Sequence, residues 1–217
     1  MDIQTLNSKY ELLSPKQRIE ELFNDFDEKK ILFTSSFGTS AILLLHMFHS
    51  VKPEHPVHFI DTSYHFMETL AFKQNLKRSY NINVIDVHPE PWKNKFTLED
   101  QTWSKNPDFC CSINKVEPLD AIKKNFDVWV SGLMAHQNTN RGSLDIFQEK
   151  KDILKFHPII DMPMEDIQLY TQNNSLPEHP LLNHGYDSVG CTHCTKIGQG
   201  RAGRWDGFAK TECGLHT

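Results

Sequence analysis

The fold of this 217-residue chain is decided by the stretch Ile31-Leu32-Phe33-Thr34-Ser35-Ser36-Phe37-Gly38-Thr39-Ser40. Its leading apolar residues predict a short buried strand, and a leucine-rich helix begins near Ala41. The small, hydroxyl-rich loop between them would present free backbone N–H groups at the start of that helix, which suits an anion. An ordinary strand–helix turn has a similar composition, and the loop lacks the Gly-Lys-Ser/Thr of a Walker loop. The candidate ligands in the loop are Ser35, Ser36, Phe37, Gly38 and Thr39.

Strands and helices alternate along the chain on both sides of this stretch. Further strands are predicted at 57–60, 82–87, 128–130 and within 147–160, and helices from Ser14-Pro15 onward and at 66–80, 116–125 and 164–173. This alternation predicts an α/β fold with a mostly parallel sheet and helices on both faces. We divide the chain into an N-terminal helical segment (1–30), a nucleotide-binding α/β domain (31–175) and a loop-rich, cysteine-bearing C-terminal segment (176–217).

The second predicted strand ends in Asp61 and Thr62, which are candidate substrate ligands. In doubly wound sheets ligands bind at the carboxyl ends of the strands, so both residues would face the same crevice as the first loop. A carboxylate at this place can hold a ribose hydroxyl or cap the helix that follows, and the sequence leaves both interpretations open.

The composition is that of an ordinary soluble globular protein, with 38% hydrophobic and 24% charged residues. No apolar run has the length of a membrane span, and the first residues lack the order of a signal peptide, so we expect a cytoplasmic protein without a membrane partner. The net charge of −5 does not favour binding to nucleic acid. The segment 196–210 is locally basic, through Arg201 and Arg204 among others, and is either a solvated tail or a small-anion site.

The five cysteines group as four plus one: Cys110-Cys111, then Cys191-Thr-His-Cys194, then Cys213. Two pairs predict a metal site. Adjacent thiolates suit separate corners of a four-iron cube, although zinc and two unrelated pairs of buried thiols remain alternatives. Lys115 follows Cys111 by one helical turn, so it is either a cation beside the thiolates or an exposed helix lysine.

Cys213 lies in Glu212-Cys213-Gly214-Leu215-His216, a poor setting for a core residue. Nearby cations lower the pKa of a thiol and raise its thiolate fraction, and Arg201, Arg204, Lys210 and His216 are candidates for that role. Cys213 is therefore either a nucleophile or an incidental surface thiol.

The two cysteine pairs together with Glu212-Cys213-Gly214-Leu215-His216 resemble the adenylyl-sulfate and phosphoadenylyl-sulfate reductases over nearly the whole chain. The resemblance implies an adenine-nucleotide α-hydrolase-like fold, with Ser35–Ser40 as a modified pyrophosphate loop and Phe59–Ser63 as the adjacent strand end. It also implies that Arg201 and Arg204 grip the phosphate or sulfate of the substrate. The chain departs from the family at Asn114, where arginine is usual, and in the loop 132–141, where Arg141 alone remains of the family's arginines.

The implied mechanism is thiol chemistry on the sulfonucleotide. The Cys213 thiolate attacks the sulfur, a nucleotide leaves, and an outside dithiol protein, thioredoxin or glutaredoxin, releases sulfite from the resulting S-sulfocysteine. One [4Fe-4S] cluster on Cys110, Cys111, Cys191 and Cys194 would support the site electrostatically, beside Lys115.

Two substrates are open, because the cluster cysteines resemble the adenylyl-sulfate branch and the loop at Ser35 resembles the phosphoadenylyl-sulfate branch. We expect adenylyl sulfate to be preferred. The rival interpretations are an ATP pyrophosphatase-type thiolating enzyme of the same fold and a structural zinc module. The sequence is compatible with a homo-oligomer.

Overall fold

A computed structural model describes residues 2–150 and 153–215 and contains a six-stranded sheet in the order β3-β2-β1-β4-β6-β5. The strands are Ile31–Thr34 (β1), Val57–Ile60 (β2), Val84–Val87 (β3), Val128–Val130 (β4), Phe147–Lys150 (β5) and Ile153–Phe156 (β6). All neighbouring strands are parallel except β5 and β6, which are antiparallel. The mostly parallel α/β sheet predicted from the sequence is therefore confirmed.

The first predicted strand lies at the centre of the sheet. Phe33 of β1 is in register with Val57 of β2 on one side and with Val130 of β4 on the other. The chain therefore builds outward from β1 in both directions, and the strand order reverses between β1 and β4. Such a switch point leaves a crevice at the carboxyl ends of the two strands, where ligands bind in folds of this kind.

Helices cover the sheet. They are Ile3–Glu11 (α1), Pro15–Asp25 (α2), Ala41–Val51 (α3), Met67–Ser79 (α4), Pro91–Glu99 (α5), Thr102–Lys105 (α6), Pro107–Cys111 (α7), Glu117–Lys123 (α8) and Met164–Asn173 (α9). Helix α2 begins as its sequence predicts, with Ser14 as the N-cap and Pro15 at the first helical position. Gln17 completes a capping box with Ser14. No described helix is long and apolar enough to cross a membrane.

The two faces of the sheet bury different sides of the central strand. Ile31 and Phe33 join the main core, while Leu32 packs on the opposite face with Trp129 and Leu119. This alternation is the period of two that a strand imposes on its side chains. Leu215 of the C-terminal segment packs against the second cluster, so the segment returns to the sheet near the crevice.

Several boundaries differ from the sequence prediction. The third strand begins at Val84 instead of residue 82, and the region 147–160 holds two antiparallel strands followed by a turn. Helices α1 and α5–α7 were not predicted. The C-terminal segment has short turns of helix at Pro180–His184 and Thr192–Cys194, in agreement with its predicted loop-rich character.

Candidate active site

A cavity of about 500 Å³ opens at the switch point between β1 and β4. The sheet side contributes the loop after β1 and the residues after β4, including Ser131, Leu133 and Met134. The C-terminal segment closes the other side. Of the predicted site residues, the cavity wall contains Ser35, Ser36, Gly38, Thr39, Lys115, Arg141, Cys191, Arg201, Arg204 and Cys213. Residues about 180 positions apart in sequence thus meet in one place.

The loop after β1 is fastened to the C-terminal segment. Thr39 Oγ1 donates to the carbonyl oxygen of Asp187 at 2.7 Å. Gly38 lies so close to the backbone of Val189 that a Cβ would stand 3.3 Å from its carbonyl oxygen. Within the loop, the Ser35 hydroxyl accepts a bond from the backbone N–H of Phe37 at 3.2 Å. The loop after β1 is thus fixed both by the C-terminal segment and by a hydrogen bond of its own.

The predicted role of Phe37 as a substrate contact is wrong for its side chain. Phe37 is fully buried and packs edge-on against Phe59, with 5.7 Å between the ring centroids. Its φ of 50° is left-handed, and this backbone conformation turns the ring into the core while the neighbouring Ser36 and Gly38 remain on the cavity wall.

Asp61 and Thr62 are not part of the cavity wall either. Asp61 Oδ1 accepts from the backbone N–H of Ser63 at 2.9 Å in a local turn. The helix that follows has Phe66 as its N-cap and no side-chain cap bond, so Asp61 does not cap it. Thr62 is fully buried, and its hydroxyl lies 3.4 Å from Cys191 Sγ. The end of β2 therefore faces the cysteines, and the predicted substrate contact at these two residues is corrected.

Arg201, Arg204 and Trp205 form a cationic and aromatic wall. The guanidinium carbons of Arg201 and Arg204 lie 5.7 and 4.5 Å from the centre of the Trp205 ring. Arg204 crosses the Cα of Gly190 so closely that a Cβ there would collide with its guanidinium, and its Nη1 donates to Ser188 Oγ at 3.3 Å. The absence of a side chain at position 190 sets where Arg204 points.

Three buried donors of this wall have no hydrogen-bond partner among the described residues: Arg201 Nε, Arg204 Nε and Trp205 Nε1. Burial, the charge of Arg141 and that of Arg204 lower the pKa of Arg201 to about 10, although Glu212 raises it. Buried donors without partners and crowded positive charges are both unfavourable unless a negatively charged hydrogen-bond acceptor lies beside them. The wall is therefore suited to an anion.

Arg141 reaches the cavity but its guanidinium is occupied. It forms a paired contact with Glu212, Nε to Oε1 at 2.5 Å and Nη2 to Oε2 at 2.8 Å, and its Nη1 donates to Gln137. The predicted substrate arginine therefore binds the residue next to Cys213. His216, the remaining predicted contact, lies outside the described residues.

The four other cysteines line a second, smaller cavity. The end of α7 carries Cys110 and Cys111, and a backbone bond from Thr192 N to Tyr64 O of 2.7 Å brings the Cys191–Cys194 turn beside them. Burial and the neighbouring thiols raise the pKa of Cys110 to about 12 and that of Cys194 to about 11. The four cysteine side chains thus share one site, in which neighbouring thiols oppose the ionisation of Cys110 and Cys194.

The donor set of this cavity fits an iron–sulfur cluster. Among the described residues, no group of three or more His, Cys, Asp or Glu side chains is arranged around a single metal ion. Thiolates are the ligands of iron–sulfur clusters, and a cube accepts them at spread corners. Asn114, which is 1% exposed, donates to the Cys110 carbonyl oxygen at 3.0 Å and lies 3.6 Å from its Sγ. Binding of such a group would relieve the mutual repulsion of the thiolates.

Lys115 lines both cavities. Burial alone would lower its pKa, but the thiol groups of Cys191, Cys111 and Cys213 outweigh burial and raise the pKa above its ordinary value. Lys115 therefore lies between the cysteines and the anion wall and is not an exposed helix lysine.

Sequence reasoning missed the aromatic cover of the cysteine cavity. Trp103 and His193 stack with their ring centroids 3.9 Å apart and their planes at 11°, and Tyr64 meets His193 edge-on and Trp103 at a tilt. The position of His193 between Cys191 and Cys194 was a usable signal for that residue. Trp103 had no such signal, because its helix was not predicted.

The sequence matches a known protein family over most of its length. A sequence profile described as the phosphoadenosine phosphosulfate reductase domain matches residues 30–197. A Bacillus cereus protein named adenosine 5′-phosphosulfate reductase is 36% identical over 203 aligned residues, which cover 87% of this chain and 85% of that protein. The profile ends before Cys213, so its match rests on the sheet and the cysteine pairs.

Solved structures share the fold. The crystal structure of phosphoadenylyl-sulfate reductase from Candida auris superposes with a TM-score of 0.78 at 24% identity, covering 89% of this chain and 96% of that one. Yeast FAD synthetase superposes with a TM-score of 0.60 at 16% identity, covering 92% of this chain and 70% of that one. The adenine-nucleotide α-hydrolase-like fold expected from the sequence is thus confirmed.

Proposed function

Because the chain belongs to the phosphoadenosine phosphosulfate reductase family, we propose that this sulfonucleotide reductase converts adenylyl sulfate to sulfite and AMP, with Cys213 as its nucleophile. The observation that carries the proposal is the meeting of Cys213 with unpartnered buried donors in one cavity. Arg201, Arg204 and Trp205, which carry these donors at Nε, Nε and Nε1, line the same cavity of about 500 Å³ as Cys213. A sulfate ester offers tetrahedral oxyanion acceptors to such donors and an electrophilic sulfur to the thiolate.

The first half-reaction transfers the sulfonate group to the enzyme. The Cys213 thiolate attacks the sulfur, a bond from Sγ to sulfur forms, the bond from sulfur to the phosphate oxygen breaks, and AMP leaves. Arg201 and Arg204 bind the oxygens of the phosphate–sulfate link and offset the negative charge that the thiolate brings toward them. The apolar wall at Leu133 and Met134 leaves room for a planar base.

The second half-reaction needs an external dithiol. A thiolate of thioredoxin or glutaredoxin attacks Cys213 Sγ, sulfite leaves with both electrons of the broken bond, and the second thiol of the partner resolves the mixed disulfide. The partner is thereby oxidised by two electrons to its disulfide. None of the five cysteines forms a disulfide, and thiol chemistry of this kind is suited to a reducing compartment, so we assign the enzyme to the cytoplasm.

Cys110, Cys111, Cys191 and Cys194 would hold one [4Fe-4S] cluster per chain. When bound, the cluster supplies a fixed charge next to the substrate cavity. Lys115 lines both cavities, where its positive charge would offset the negative charge of the thiolates and of the substrate oxyanions. Tyr64, Trp103 and His193 keep water away from the cysteines.

Adenylyl sulfate is preferred because the cavity offers little to a 3′-phosphate. That dianion needs dedicated cations or N–H donors. The loop after β4 carries the buried Met134 where the family has arginine, and Arg141 is engaged by Glu212. The hydroxyls of Ser35 and Ser36 remain on the cavity wall, so we expect reduced and not absent activity on the phosphorylated form.

The test is a competition assay on anaerobically purified protein with thioredoxin supplied. Equal concentrations of both sulfonucleotides are mixed, and sulfite, AMP and the 3′-phosphorylated AMP are measured at early times. The proposal requires sulfite formation with AMP as the main nucleotide product. Preference for the phosphorylated substrate would contradict the substrate assignment, and no sulfite from either would contradict the function.

A further inference from the structure

Glu212, the residue before the nucleophile, is a buried carboxylate in a closed set of donors. It is 5% exposed. Oε1 accepts from Arg141 Nε at 2.5 Å and from Asn138 Nδ2 at 2.7 Å, and Oε2 accepts from Arg141 Nη2 at 2.8 Å and Arg201 Nη2 at 3.1 Å. We call this set of Glu212, Arg141, Arg201 and Asn138 the tail latch.

The latch requires a charged Glu212. Burial by itself would raise the pKa of this carboxyl, but the hydrogen bonds and charges of Arg141, together with Arg201, outweigh burial and bring the pKa below its ordinary value. Paired, charge-assisted bonds of this kind are the strongest that side chains form, and removal of one partner leaves the other charge buried without compensation. The neutral amide of glutamine has the same shape as Glu212 but lacks this interaction.

The latch fixes the chain immediately beside Cys213. On the near side, the carbonyl oxygen of Thr211 accepts a second bond from Arg201 Nη2 at 2.9 Å. On the far side, Lys155 Nζ donates to the carbonyl oxygen of Leu215 at 2.9 Å. Cys213 therefore lies between two anchored points, and its side chain is part of the wall of the substrate cavity.

Arg201 connects the latch with the anion wall. The same guanidinium that binds Glu212 lies over the Trp205 ring, and its Nε is one of the unpartnered donors. An anion bound at the wall would thus lie against a group that also holds the tail.

We propose that Glu212 is a positioning residue, whose ion pair with Arg141 and Arg201 holds the Cys213 thiol inside the cavity for the first half-reaction and opens for the second. The roles of this ion pair in the two half-reactions rest on the proposed function, whereas the seating of the Cys213 thiol in the cavity does not. The latch spans 71 residues of sequence between Arg141 and Glu212, so it is a tertiary contact that the tail makes or breaks as a unit.

The first experiment measures access to Cys213 without any nucleotide. Anaerobic protein is treated briefly with iodoacetamide, and alkylation is followed on the tryptic peptide that begins at Thr211. Glu212→Gln should raise the alkylation rate of this peptide about tenfold, the scale of one lost charge-assisted bond. Arg141→Gln should do the same, and the double variant should add little, because both changes open one latch.

The matched control is Asp206→Asn, the same chemical change in an exposed ion pair with Lys196 in the same segment. It should leave the rate at the wild-type value. General unfolding is reported by the peptides that contain the other four cysteines, Cys110, Cys111, Cys191 and Cys194. The labelling of these peptides should not change in any of the variants. Alkylation of Cys213 at the wild-type rate in Glu212→Gln, or a rise shared by all five cysteines, would overturn the latch.

The second experiment separates the half-reactions. In single turnover without reductant, Glu212→Gln should form the Cys213 adduct about tenfold more slowly than wild type. Preformed adduct should release sulfite to thioredoxin at least as fast in the variant as in wild type. Equal slowing of both steps would contradict a positioning role, whereas wild-type protein that forms no adduct would contradict the proposed function and leave the alkylation result to decide the latch.

Discussion

Arg204 lies across the Cα of Gly190, in space that any side chain at position 190 would fill. The glycine precedes Cys191, so one turn of chain sets both a cysteine of the small cavity and an arginine of the anion wall. The position of the Arg204 guanidinium in the substrate cavity therefore depends on the backbone that also carries a cysteine of the small cavity.

Gly190→Ala should displace Arg204 from the wall while the sheet stays folded. We expect kcat/KM for adenylyl sulfate to fall at least about tenfold, the scale of one charge-assisted hydrogen bond. Gly142→Ala is the control, because a Cβ there meets its nearest neighbour, the Ala135 carbonyl oxygen, only at 3.8 Å. Unchanged kinetics in Gly190→Ala would show that the position of Arg204 does not matter.

Trp205→Phe keeps an aromatic ring between the cations but removes the buried indole donor. Trp205 is 2% exposed and its Nε1 has no partner among the described residues. We expect binding of the substrate anion to weaken by about 1.5 kcal/mol, a dissociation constant roughly tenfold higher. Titration of AMP against Cys213→Ser protein with and without the change measures this. The exposed Trp92 supplies the control, Trp92→Phe, and equal affinities in all three proteins would argue against an indole contact.

Trp103→Ala should make the cluster more labile in air. The stack of Trp103 on His193 covers the cysteine cavity, and its loss would admit water and oxygen to the proposed cluster. The absorbance of anaerobically purified protein, followed after exposure to air, should decay several-fold faster than in wild type or in Trp92→Ala. Identical decay in the three proteins would mean that the stack does not protect the site.

Lys155 predicts a dependence of stability on pH. Burial, together with Lys150 and Lys123, lowers its pKa from 10.5 to about 8. Between these values the unfolded chain binds more protons than the folded one, so stability rises with pH across this window. Relative to Lys155→Met, wild type should therefore gain up to about 2 kcal/mol between pH 8 and 10. The readout is the difference in thermal midpoint between the two proteins, scanned at one rate at pH 7.5 and 9.5. A difference that stays constant would contradict a depressed pKa.

The strands nearest the site were predictable because buried parallel strands are continuous apolar runs. β4 is wholly apolar, β1 and β2 are apolar except for Thr34 and His58, and each lies within the predicted region. Helices α5 to α7 escaped prediction because they are short and carry exposed apolar residues such as Trp92 and Phe96, which obscure any periodicity.

The site was predictable as a set of motifs but not as a set of contacts. Position in a motif located Ser36 and Arg204 on the cavity wall, yet it also assigned Phe37 to the substrate, although the left-handed backbone turns that ring inward. The pairing of Arg141 with Glu212 depends on how the tail folds back over 71 residues, which no local pattern encodes.

The central claim is that Cys213 carries the sulfonate group, and trapping of the intermediate tests it most directly. Anaerobic protein is mixed with adenylyl sulfate without reductant, digested with trypsin, and the peptide that begins at Thr211 is weighed by mass spectrometry. We predict a sulfonate-sized mass increase on that peptide, equimolar release of AMP, and return of the peptide to its original mass when thioredoxin is added. Cys213→Ser should bind nucleotide but form no adduct, because a hydroxyl is a far weaker nucleophile at neutral pH. Turnover by Cys213→Ser at the wild-type rate, or an adduct on any other cysteine, would contradict the account.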